Sequence, residues 1–273
     1  MFYYCHFFLF IQKKSLDKNS SGITVNSSVY IKAVCSLVIV LHHLSFQYKD
    51  SFFFSQFSIL GTITVALFFF LSGYGLMKQA MKYDNYYTNF LSKRFSKLLP
   101  PFLIATICYT CYSVTVNGSI FVWNRLINGF PPLPTSWFVY SISWLYLSFY
   151  TVGRFSRNIN SFNIQMFIST ILYCIIILFI LHWGGWWVNA IFAFNIGVFV
   201  CSYEVKLLKY LESKLVLIFI AVLFSLVSLV AIFFRLSPIY NLSVCCLLWM
   251  AFVNIQFKEI SLLKSIGNIS YEI

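Results

Sequence analysis

Eight stretches of the chain are apolar for about the length that a helix needs to cross a bilayer. They are residues 29–46, 57–77, 98–116, 137–152, 164–182, 186–201, 215–234 and 239–257. A spanning helix takes roughly 17–25 residues, so 137–152 and 186–201 are short for the task. Hydrocarbon offers no partner to a backbone N–H or C=O, and a segment that crosses it must satisfy those groups within its own helix. The expected fold is therefore all-α, a polytopic transmembrane helix bundle of about eight spans. A water-soluble domain is excluded, since 60% of residues are hydrophobic and only 10% are charged, where an average chain has about 25% charged. No internal repeat or low-complexity linker divides the sequence.

Charge sets the orientation. With the N-terminus placed in the cytoplasm, sixteen of the nineteen Lys and Arg fall on the cytoplasmic side of the spans and three, Lys49, Arg125 and Arg235, on the other. Such a bias is what short loops of membrane proteins show. The expectation is an integral membrane protein with a cytoplasmic N-terminus. The net charge of +12 is no nucleic-acid signal, because the basic residues sit in short segments between apolar runs and form no polar face. Residues 1–11 are aromatic and apolar but too short to span, and they lack the basic start of a signal peptide. Residues 1–28 are read as a cytoplasmic or interfacial segment and residues 29–273 as the membrane domain. The eight cysteines lie in or beside apolar runs and read as small apolar filler. Cys108-x-x-Cys111 has no second Cys or His pair near it in sequence, and no carboxylate is central to a span, so no metal is expected.

The first span carries ionisable groups, Lys32, His42 and His43. These are costly in hydrocarbon and mark functional sites. Lys32 and His43 are eleven residues apart, which on an α-helix leaves them about 20° from the same face and about 16 Å apart along the axis. His42 is turned away from His43 by about 100°. Geometry selects His43 to share a cavity with Lys32.

Four stretches in order carry a resemblance. The first is Lys32-x10-His43. The second is Phe68-Phe69-Phe70-Leu71-Ser72-Gly73-Tyr74-Gly75. The third is Arg94-x-x-Lys97-x-x-Pro100, with Pro100 and Pro101 opening the third span, and the fourth is Trp137-Phe138 at the start of another. Together they resemble the acyltransferase-3 family of membrane O-acyltransferases, with its basic-x10-His helix, its F-F-x-L-S-G-[FY] block, R-x-x-R-I-x-P and W-F-L. Lys32 stands where Arg is common, and Lys97 replaces the second Arg. The family's usual count is about ten spans. The segment from Gly267 to Ile273 is similar to its G-x-I-S-Y segment, so the last helix is expected to be incomplete.

The resemblance implies transfer of an acyl group, acetyl in the first instance, from cytoplasmic acyl-CoA to a hydroxyl of an extracytoplasmic glycan, an envelope polysaccharide or a lipid-linked glycan. It places the protein in the cytoplasmic membrane. Acyl-CoA is then a substrate, and no permanently bound cofactor is implied. His43 would be the general base, since an unperturbed imidazole titrates at about pH 6.5. The bland alternative is a histidine satisfied by a backbone carbonyl, which is the preferred reading for His42. Lys32 would pair with the donor or polarise its carbonyl, or else snorkel to the headgroups. Arg94 and Lys97, three residues apart on one helix face, would hold the donor phosphates, or merely anchor the inner edge. Trp137 would line the acceptor side or stand in the aromatic belt expected for Trp183, Trp186 and Trp187. Ser72 lies in no nucleophile elbow. Gly73 and Gly75 read as packing residues that let the second span approach the first. The competing readings are a transporter or flippase for a glycan or polar solute, and an inactive truncated remnant.

Overall fold

Each expected span is helical in the computed structural model, which describes residues 11–13, 22–127, 131, 133, 136–253, 255–257 and 260–269. In chain order the helices are α1 (Val25–Gln47), α2 (Phe52–Ser55), α3 (Leu60–Lys82), α4 (Phe90–Asn117), α5 (Ser119–Ile127) and α6 (Trp137–Phe155). There follow α7 (Ile159–Ile175), α8 (Phe192–Ser202), α9 (Glu204–Leu211), α10 (Lys214–Phe233), α11 (Ser237–Val253) and α12 (Ser261–Ile269). A π-helical turn, Ile176–Ile180, extends α7, and a 3-10 turn, Gly185–Trp187, precedes α8. Two three-residue strands, β1 (Ile11–Lys13) and β2 (Ile255–Phe257), pair antiparallel with Gln12 opposite Gln256. Among the described residues, six helical segments are long and apolar enough to cross a membrane: α1, α3, α4, α7 with its π turn, the 3-10 turn with α8, and α10. With α6 and the shorter α11 they fill the eight expected positions, and the polytopic bundle stands.

Helix ends differ from apolar-run ends because helices begin at caps. The Thr24 hydroxyl accepts the Ser27 N–H at 3.1 Å, and α1 starts at Val25 rather than at residue 29. Asn158 caps α7 by accepting from Ser161 N–H at 2.8 Å. The largest difference is α4. It begins at Phe90, so Pro100 and Pro101 lie inside it and do not open it. A proline has no N–H to donate four residues back, so the carbonyls of Ser96 and Lys97 lose their usual helical bonds where the helix leaves its basic turn. The last span is also shorter than expected, ending at Val253, with residues 255–257 extended. Residues 1–10 and 14–21, most of the expected N-terminal segment, and residues 270–273 of the G-x-I-S-Y stretch lie outside the described residues.

The chain forms two compact units. One comprises Met1–Lys78 and Phe192–Glu272, and the other Gln79–Ile191. In the first, α3 is the core element, with Phe68, Phe69, Phe70, Leu71, Tyr74 and Leu76 all buried. It meets α8 backbone to backbone. A β-carbon at Gly73 would overlap the Phe194 carbonyl, and one at Gly197 would overlap the Phe70 carbonyl. Small residues that let backbones touch are the usual adhesive of membrane helices. The partner of Gly73 is thus α8 and not α1, which corrects the expectation from sequence, and Gly75 faces open space. The hairpin of α10 and α11 is tied by the Ser228 and Ser243 hydroxyls at 2.8 Å, and the Tyr30 hydroxyl accepts the Ile260 N–H at 3.0 Å. In the second unit α6 buries Ile142, Leu145, Tyr146 and Phe149. It is bound to α7 by Ser141 with the Tyr173 hydroxyl at 2.7 Å and by Trp144 Nε1–H donating to the Ser169 carbonyl at 3.1 Å.

Candidate functional site

Because α1 runs unbroken from Val25 to Gln47, the helical spacing applies over the whole interval and places Lys32 and His43 on one stripe, about 20° apart. The Ser36 hydroxyl, on the same stripe, donates back to the Lys32 carbonyl at 3.0 Å. Lys32 is half-buried and His43 exposed within the protein surface. The two histidines are held differently. His42 Nδ1 lies 3.1 Å from the Phe57 carbonyl oxygen. A carbonyl can only accept, so His42 donates from Nδ1. Its ring packs edge-on against Phe46, with centroids 4.7 Å apart. It also fills the space above Gly61, where a β-carbon would collide with the imidazole. His42 thereby ties α1 to the start of α3, as the carbonyl-satisfied reading of this residue expects. The His43 ring stands tilted beside it, with centroids 5.6 Å apart.

The other candidates belong to the second unit. Arg94 is half-buried on the second turn of α4. Its Nη2 donates to the Tyr86 hydroxyl at 3.1 Å, and its guanidinium lies over the Phe90 ring at 5.8 Å. Burial pushes the Tyr86 phenol up, and Arg94 opposes the shift. Burial, then the neighbouring Tyr86, push Tyr87 up to about 12. Both phenols stay neutral at working pH. Lys97, one turn on, is exposed. Trp137 is the first residue of α6, half-buried and edge-on to Phe138 at 6.2 Å. Among the belt candidates, Trp187 is buried, packed at a tilt against Trp183 with centroids 4.2 Å apart and set against Tyr140, so it belongs to the core. Trp186 and His182 are exposed.

Two features escape a reading of the sequence. Gly61 is the floor under His42. Glu204, the only buried acid among the described residues, opens α9 and receives both the Tyr74 hydroxyl and the Lys78 ammonium of α3. The one sequence signal for it was an acid placed directly after an apolar run.

A family model described as an acyltransferase domain, that of the acyltransferase-3 family, matches residues 26–273. No curated protein and no solved structure matches the chain.

Proposed function

The chain belongs to the acyltransferase-3 family, and from that membership we propose that it moves an acetyl group from cytoplasmic acyl-CoA to a hydroxyl of an extracytoplasmic glycan. That it is a membrane acyltransferase follows from the family and the apolar helices. The acceptor, the donor and the base are the reading offered here. One observation supports it most: His42 is committed to the Phe57 carbonyl, and His43 is left on the stripe of Lys32 with its ring exposed.

In the proposed reaction His43 takes the proton of the acceptor hydroxyl as that oxygen attacks the thioester carbonyl. The C–O bond forms, the C–S bond breaks, and the thiolate leaves and takes up a proton. Lys32, deeper on the same helix, draws electron density from the donor carbonyl or pairs with the donor. Arg94, held by Tyr86 and Phe90, and Lys97 bind the donor phosphates. The bilayer-exposed helices keep the enzyme in the cytoplasmic membrane.

Membranes given acyl-labelled CoA and purified glycan test the reaction. Label in base-labile ester on the glycan supports it, and glycan movement without label sinks it in favour of transport. Arg94→Ala should raise the apparent KM for the donor by about tenfold or more, since a charge-assisted contact contributes about 1.5–3 kcal/mol. A donor titration at matched protein level reads this, and an unchanged KM reduces Arg94 to an anchor. Topology is tested separately. A cysteine introduced by Lys82→Cys should resist an impermeant thiol reagent applied to intact cells and react once the membrane is opened. Efficient labelling from outside would reverse the orientation.

A further inference from the structure

Glu204 takes no part in the chemistry above, yet it is 4% exposed in an apolar bundle. A buried carboxylate persists only when it is paired and hydrogen-bonded. Both partners come from α3. The Lys78 ammonium forms an ion pair with Oε2, and the Tyr74 hydroxyl donates to Oε1. The direction of that second bond is set by the carboxylate, which accepts only. The phenol has one proton to give, and its lone pair is left to accept the Ile23 N–H at 3.0 Å. Ile23 immediately precedes Thr24, the cap of α1. Gly22 presses on the same atoms, at a φ of +87°. A β-carbon there would overlap Glu204 Oε1 and the Tyr74 hydroxyl. The entrance of α1 thus rests on one side chain of α3, which rests on one carboxylate of α9.

We propose that Glu204, Tyr74 and Lys78 form a latch that fixes the position of α1 along its axis and makes these three positioning residues for Lys32 and His43. The inference rests on the reading of His43 as the base. Since α1 is a single unbroken helix, a slip at Ile23 is carried whole to both groups. Misplacing a catalytic group by about 1 Å can cost about 10²-fold in rate. Tyr74 sits in the F-F-x-L-S-G-[FY] block, where phenylalanine would serve the packing equally well, and the hydroxyl is the part that the latch uses.

Tyr74→Phe removes a single oxygen and is the primary test. In membranes its kcat should fall by about tenfold to 10²-fold, with the donor KM unchanged and protein level normal. Lys78→Ala should lose activity similarly, and Lys78→Arg should recover most of it. Hydrogen exchange of the purified protein supplies a readout that needs no activity: the peptide covering residues 22–32 should exchange faster in Tyr74→Phe, and peptides from α10 and α11 should not. Unchanged exchange would overturn the latch. Faster exchange with an unaltered kcat would overturn its positioning role. Failure of the base assignment is seen elsewhere, as retained activity in His43→Ala, and does not affect the exchange result.

Discussion

Replacing His43 by alanine is expected to lower acyl transfer to the glycan by about 10²–10⁴-fold, the usual cost of removing a general base, while His42→Ala keeps a measurable rate. The two substitutions delete the same chemical group from adjacent positions of one helix, so bulk effects on insertion are matched. Their surroundings differ. His42 gives its Nδ1 proton to the Phe57 carbonyl and packs over Gly61. Its loss removes one of that carbonyl's two hydrogen bonds, the other being from the Leu60 N–H at 3.1 Å, and opens a void over Gly61. The lost bond alone contributes about 0.5–1.5 kcal/mol to stability. His43 bonds to no such carbonyl and its ring is exposed, so its loss should leave thermal stability nearly unchanged. The pattern expected is a crossed one: His42→Ala less stable and active, His43→Ala stable and inactive. Acyl ester on purified glycan, measured by proton NMR, and unfolding temperature in detergent read the two axes. Near-normal ester in His43→Ala would refute the assignment.

The second large effect is on stability and lies at the crossing of α3 and α8. Gly73→Val and Gly197→Val should each destabilise by about 3 kcal/mol or more, the upper end of overpacking costs. The obstacle in both cases is a backbone carbonyl, that of Phe194 or of Phe70, which no rotamer change can remove. Gly75→Ala is the control. It lies two residues from Gly73 in the same block, and its β-carbon would meet nothing within 4 Å. Helix propensity alone should make it neutral or stabilising by up to about 1 kcal/mol. Thermal loss of the folded, monodisperse protein in detergent distinguishes them. Equal effects at 73 and 75 would contradict the crossing.

The sequence made the spans legible because each needs a long apolar run, and all eight positions are helical. Ends were less legible. Phe90 to Lys97 is too polar to count as a span, yet it is the first two turns of α4, and the prolines read as a start lie within it. The pairing of helices was not legible at all. Gly73 announces a close approach without naming its partner, and the partner, α8, lies about 120 residues on. Glu204 shows the same limit. Its partners are 130 and 126 residues away, so no local pattern links them. For the candidate site, the stripe of Lys32 and His43 needed only helical spacing. The distinction between His42 and His43 needed Phe57 and Gly61, which the chain reaches only after a turn through α2.

The π turn of Ile176–Ile180 has a consequence for how this chain is compared with others. Its closing bond runs from Leu181 N–H to the Ile176 carbonyl at 2.9 Å, five residues back, and beyond the turn Trp183 N–H donates to the Ile177 carbonyl at 2.9 Å, six residues back. A turn closed over five residues holds one residue more than an α-turn closed over four. A helix can hold one extra residue in this way without breaking. A relative that lacks the extra residue would be aligned correctly only with a one-position gap inside 176–180. An ungapped alignment would set every later residue of that corner, Trp183 and Trp187 among them, one place out of register.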